Sequence, residues 1–110
     1  MKIDLSRLAV IEQTKDADRG AWQEADEMCR KISRENSELS RQKMDIENSP
    51  PVVDQEAARQ RYATLQSLQA RIEANKKKFA DLKVVRDMAD EKMRASQELW
   101  DNCAKFAGIR

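Results

Sequence analysis

A 3-4 spacing of mostly apolar residues runs along nearly the whole chain and is interrupted once, at Asn48-Ser49-Pro50-Pro51. Before the break the series is Leu8, Ile11, Lys15, Asp18, Trp22, Ala25, Cys29, Ile32, Asn36, Leu39, Lys43 and Ile46, with eight of twelve positions apolar. After it come Ala58, Arg61, Leu65, Leu68, Ile72, Asn75, Phe79, Leu82, Arg86, Ala89, Met93, Ser96, Trp100 and Cys103, with ten of fourteen apolar. Two residues per heptad, held over six to seven heptads, make a coiled-coil seam.

Proline lacks the amide donor, clashes with the preceding turn and pushes the residue before it out of the helical region. The spacing therefore predicts helix 1 over about 6–47, a turn over 48–53 and helix 2 over about 54–107, with Asp54 as N-cap. At 1.5 Å per residue these helices are about 60 Å and about 80 Å long. Gly20 costs about 1 kcal/mol inside helix 1 without breaking it. A short Pro-Pro connection favours antiparallel return. The expected fold is all-α: a single long antiparallel two-helix coiled-coil hairpin over residues 1–110, dimerising into a four-helix bundle.

With the turn at 49–52, facing residues are expected to have numbers summing to about 101. That register sets residues 12–27, with six acids (Glu12, Asp16, Asp18, Glu24, Asp26, Glu27) to two bases (Lys15, Arg19), against residues 74–89, with five bases (Lys76, Lys77, Lys78, Lys83, Arg86) to two acids (Asp81, Asp87). Opposite signs belong on facing helix flanks. It also puts Trp22 beside Phe79, Cys29 beside Ile72, and Lys15 and Asp18 near Lys83 and Arg86. Residues beyond about 96 then have no partner, so Leu99, Trp100, Cys103, Phe106 and Ile109 form an apolar stripe on an overhanging end. Such a stripe is the expected protein-interaction site; its bland alternative is a cap on the core against Ile3 and Leu5. Apolar residues off the seam (Val10, Ala17, Ala21, Met28 and Met44; Tyr62, Val84, Val85 and Met88) widen the faces beyond what a lone hairpin buries. They point to a homodimer or a helical protein partner.

Composition excludes several classes of activity. The 110 residues carry 21 basic and 20 acidic side chains and no histidine, so the commonest general base and metal ligand are missing. Carboxylate pairs such as Glu24 with Glu27, or Asp87 with Glu91, lack the Glu-x-x-His pattern of a di-iron bundle. No cofactor, metal or catalytic set is expected, and the chain reads as a non-enzyme. A net charge of +1 gives no global attraction to nucleic acid or an anionic membrane. The apolar run Leu8-Ala9-Val10-Ile11 is too short for a signal segment or a membrane span, so a cytoplasmic location is expected. Cys29 and Cys103 fit soft core residues in a reducing compartment.

Two features remain. Lys76-Lys77-Lys78, with Arg59, Arg61 and Arg71, gives residues 28–78 eleven basic against seven acidic side chains. That cluster is the candidate polyanion or nucleic-acid site, set against a solvated or internally paired face. The polar seam residues Lys15, Asp18, Asn36, Lys43, Arg61, Asn75 and Arg86 are expected to fix register or to snorkel outward. In outline the chain resembles the stalk proteins of flagellar and type III secretion export, long charged hairpins that contact an export ATPase. The turn Ser49-Pro50-Pro51 lacks the Trp-x-Gly of the small secreted hairpins, and the chain is longer than needle subunits. The expected function is a coiled-coil interaction or assembly protein: an adaptor, a chaperone, or a structural component of a secretion or phage machine. A polyanion-binding hairpin is the alternative.

Overall fold

A computed structural model describes residues 5–108. Helix α1 spans Leu5–Glu47 and helix α2 spans Gln55–Phe106, and the described residues contain no strand. The chain is an all-α antiparallel helical hairpin. All twelve seam residues of α1 are buried or half-buried, and in α2 only Ala58 of the series is exposed. The 3-4 spacing therefore names the buried stripe almost residue for residue.

Each end of α2 is closed by local chemistry. Asp54 accepts from the Glu56 amide at 3.4 Å while its own carbonyl takes the first helical bond, from Ala58 at 2.9 Å. An aspartate in this position satisfies one of the orphan amides of the first turn. At the other end Gly108 takes φ 76°, and the Ala107 and Gly108 amides turn back to Cys103 and Lys105. Only glycine enters that left-handed conformation without steric cost.

The C-terminus of α1 has no such glycine. Ser49 closes part of it, its amide bonding Ile46 O at 3.1 Å and its hydroxyl bonding Asp45 O at 2.7 Å. The rest is closed from α2. The Arg61 guanidinium donates to Pro50 O at 2.9 Å, Ser49 O at 3.2 Å, Glu47 O at 3.4 Å and, more closely, Ile46 O. A planar fork of five donors can meet several carbonyls at once, which a lysine cannot.

Helix contacts form two packing units. One, the turn unit, is Cys29–Asp81; the other, the terminal unit, is Met1–Met28 with Leu82–Arg110. In the turn unit Leu39, Leu68 and Ile72 form a buried cluster with Ile46 against it. Full burial of such a side chain contributes about 1.5–3 kcal/mol. In the terminal unit the buried positions are Leu8, Ala25 and Ala104.

The register differs from the one the turn length suggested. In the turn unit Lys43 Nζ donates to Gln69 Oε1 at 2.6 Å. In the terminal unit Arg86 pairs with Asp26 at 3.6 Å, the Lys15 ammonium lies over Trp100, and Ser96 donates to Asp18. These pairs sum to between 112 and 115, not to about 101. A sum of 111 places alternating seam positions of the two helices in shared layers: Asn36 with Asn75, Ile32 with Phe79, Lys43 with Leu68, Trp22 with Ala89, Ile11 with Trp100.

The cause of the difference is the loop. Residues Pro50–Val53 are neither helical nor turned, and Pro-Pro favours an extended chain. Helix α2 thus begins about 14 Å past the level at which α1 ends, at 1.5 Å per helical residue. Seven extended loop residues can span up to about 23 Å. It follows that the stretch beyond residue 96 does not overhang. The acids of 12–27 face α2 near residues 85–100 and not the lysine run.

Candidate docking surface

The corrected register divides the predicted interaction residues. Trp100 and Cys103 are half-buried seam residues, while Leu99 and Phe106 lie outside the seam, 51% and 61% exposed. Ile109 lies outside the described residues. Leu5, at 73% exposure, does not cap this end of the core. Trp100 is held by Lys15, whose side chain is 16% exposed and whose ammonium also pairs with Asp16 at 3.5 Å.

Six of the eight large apolar side chains exposed in the described part of the terminal unit share one flank, and Leu5 and Val84 lie off it. In α1, Val10, Ala17, Ala21 and Met28 lie on the flank two positions after or one before the first residue of each heptad. In α2, Val85, Met88, Ala95, Leu99 and Phe106 occupy the same flank. In an antiparallel pair the corresponding flanks of both helices fall on one side. All nine residues are exposed. Polar side chains among them include Thr14, Glu24, Lys92 and Asn102.

From Glu12 onward the opposite flank of the terminal unit is polar, with the exposed Leu5 at its outer end. It carries Glu12, Arg19, Asp26, Lys83, Asp90 and Gln97 in the position after each heptad's seam pair. Arg94 bridges to Asp90 at 3.1 Å and Gln97 donates to Asp101 at 3.0 Å there. One side of the unit is thus laced by polar contacts, and the other offers short and long apolar side chains to solvent. A heptad reading in a single helix shows excess apolar residues; only pairing the helices shows that they share a face.

The basic residues do not gather into a single patch. Arg61 is committed to the α1 carbonyls. Arg59 lines a shallow recess with Asp54 and Glu56 at the start of α2. Lys76 pairs with Glu73 at 3.5 Å and edges a groove with Asn36, Asn75 and Phe79. Lys77 is exposed. Arg71 and Lys78 share a different groove with Arg34, which stands outside the sequence cluster of cations, and with Glu35 and Glu38. Arg41 grips Glu38 through two bonds, at 2.6 and 3.1 Å, and reaches Asp45 at 3.1 Å. The bonded guanidinium holds the Glu38 carboxyl below its ordinary range, and the carboxylate raises Arg41 in return.

No group of three or more His, Cys, Asp or Glu side chains suited to a metal ion occurs among the described residues, and none of their helices is long and apolar enough to cross a membrane. Both thiols are free, Cys29 buried and Cys103 half-buried. No family model, curated protein or solved structure matches the chain.

Proposed function

We propose that the protein is a non-enzymatic assembly component that works by helix-on-helix docking through its terminal unit. The observation that carries this reading is the one-sided apolar flank, with Val10, Met28, Val85, Met88, Leu99 and Phe106 each between 49% and 61% exposed. Clustered aromatic and aliphatic side chains of this kind supply buried area at interfaces, and charged neighbours select the partner. The partner surface is helical, because a flank with 3-4 spacing presents ridges that another helix fills. Two free thiols fit work in a reducing cytosol. Adaptor, chaperone and structural component of a secretion or phage machine are all roles that such docking serves.

The test is a Phe106→Glu, Leu99→Glu double variant, exposed at both positions and so expected to keep its helical circular dichroism. Tagged wild type should retain a helical partner, its own chain or another, and the variant should lose it at least tenfold. Equal retention by both proteins rejects the reading.

A second reading rests on the groove that joins Arg34, Arg71 and Lys78. Three cations around one recess can hold phosphates. Anisotropy of a labelled 20-nucleotide single strand would show binding that weakens steeply between 50 and 150 mM salt and drops in Arg71→Ala. Binding too weak to measure at 50 mM salt removes this alternative.

A further inference from the structure

We infer that the apolar flank of the terminal unit is closed by a second copy of the same chain, related by a two-fold axis that runs along the helices. The inference rests on the docking reading and names its occupant.

The two rows of the flank differ in size. On α1 the exposed row is short over Thr14, Ala17 and Ala21, with the longer Val10 before them and Glu24 and Met28 after them. On α2 it is longer, with Val85, Met88, Lys92, Leu99, Asn102 and Phe106 and a single short residue, Ala95. Turning a second copy about the long axis lays the long row of each chain over the short row of the other, twice. Turning it about a transverse axis instead lays long on long and short on short, leaving voids on one side and crowding on the other. Ridges meeting shallow rows is how packed helices reach interior density.

Charge agrees with the same axis. Glu24 is the acid of the α1 row, between Ala21 and Met28, and Lys92 the base of the α2 row, between Met88 and Ala95. With residues of a layer summing to about 112, Lys92 lies one turn from the level of Glu24, about 6 Å along the axis. The long-axis rotation brings each Glu24 toward the other copy's Lys92 in two equivalent pairs. The transverse rotation, centred on this flank, sets Glu24 over the level of Val10.

The area suffices. The flank runs from about residue 7 to 28 on α1, roughly 30 Å. Two helices side by side present a width of about 20 Å. That is about 600 Å² per copy and about 1,200 Å² in total, at the lower edge of specific interfaces. All four helices then alternate in direction, as in an up-down bundle.

The experiment uses the full chain. Light scattering after size exclusion should give about twice 12.7 kDa. Leu99→Glu should give the monomer mass with unchanged helix content, and Gln97→Glu, on the polar flank, should remain a dimer. Glu24→Lys should weaken dimerisation about tenfold and Lys92→Glu in the same chain should restore it. Spin labels at Gln13 or at Glu27, both exposed, report the axis. The 13-to-13 and 27-to-27 distances between copies should agree within a few ångströms, whereas a transverse axis centred on this flank offsets the 13 pair by about 13 Å and the 27 pair by about 28 Å along the helices. A monomeric wild type, a dimer indifferent to Leu99→Glu, or unequal label distances would each overturn the inference. A monomeric wild type that still loses a helical partner in the double variant would leave the docking reading intact, so the two failures are distinguishable.

Discussion

The Lys15 ammonium sits 4.9 Å from the centroid of the Trp100 ring, tying the first quarter of α1 to the last turns of α2. The contact belongs to the terminal unit and fixes a tryptophan that a tighter turn would have left without a partner.

Trp100→Ala should therefore cost stability. A fully buried Trp→Ala truncation costs about 3–5 kcal/mol, and a half-buried one correspondingly less, about 2 kcal/mol. Lys15→Gln should cost only about 0.5–1 kcal/mol, the range of a partly exposed cation–π contact. Urea denaturation followed by circular dichroism measures both. A Trp100→Ala midpoint equal to wild type would show that the ring does not pack against α1.

Arg61 closes α1 from the opposite helix. Arg61→Met preserves the aliphatic stem and leaves the carbonyls of Ile46, Glu47, Ser49 and Pro50 without that donor. Solvent replaces part of what is lost, so the expected cost is about 1–3 kcal/mol. Arg61→Lys should recover less than half of it, because an ammonium cannot reach the carbonyls as a planar fork does. Equal stability of Arg61→Met and wild type would remove the capping role.

Gly20 lies in the interior of α1 on its outward face, and nothing stands within 4 Å of where a Cβ would be. Gly20→Ala should raise stability by about 0.5–1 kcal/mol through the lower entropy of the unfolded chain. Differential scanning calorimetry should show a rise of several degrees in Tm. A fall would mean that the outward face of α1 is occupied at that point.

Glu38 titrates below its ordinary value of 4.5 because Arg41 bonds its carboxylate. A folded-state value below the unfolded one gives stability that is present above about pH 4.5 and lost as pH falls through the lowered value. Both side chains are exposed, so the effect is small. Urea midpoints of wild type and Glu38→Gln should differ at pH 6 and converge toward pH 3. A difference that grows on acidification would contradict the sign.

The seam, the helix limits within one residue and the Asp54 cap were all legible in the sequence, because each depends on local spacing or local chemistry. The register was not. A heptad seam buries the same stripe at every slide of seven residues, so apolar spacing gives register only modulo seven. Turn length breaks that tie only for a tight turn, and Pro50–Val53 runs extended. The decisive clue was present in the seam itself. Asn36 and Asn75 meet in one layer only near a sum of 111; one heptad away, at 104, each asparagine would face Leu68 or Cys29. The shared apolar flank was hidden for a related reason, since it emerges only when two helices are set side by side.

That clue yields the sharpest prediction. Asn36 Oδ1 is buried and has no hydrogen-bond partner, a cost of about 1–3 kcal/mol in a seam that apolar residues would fill better. Replacing both asparagines with leucine should therefore raise the Tm. It should also remove the penalty against the slid register, leaving the Arg61 closure as the main restraint. Labels at the exposed positions Ser37 and Lys77 read the slide within the turn unit, where one heptad changes their separation along the axis by roughly 10 Å. Wild type should give one narrow distance distribution. The Asn36→Leu, Asn75→Leu protein should give a second population, and adding Arg61→Met should enlarge it. A more stable double-leucine protein with the same single distance would mean that the loop and Arg61 alone set the register, and that the paired asparagines do not select it.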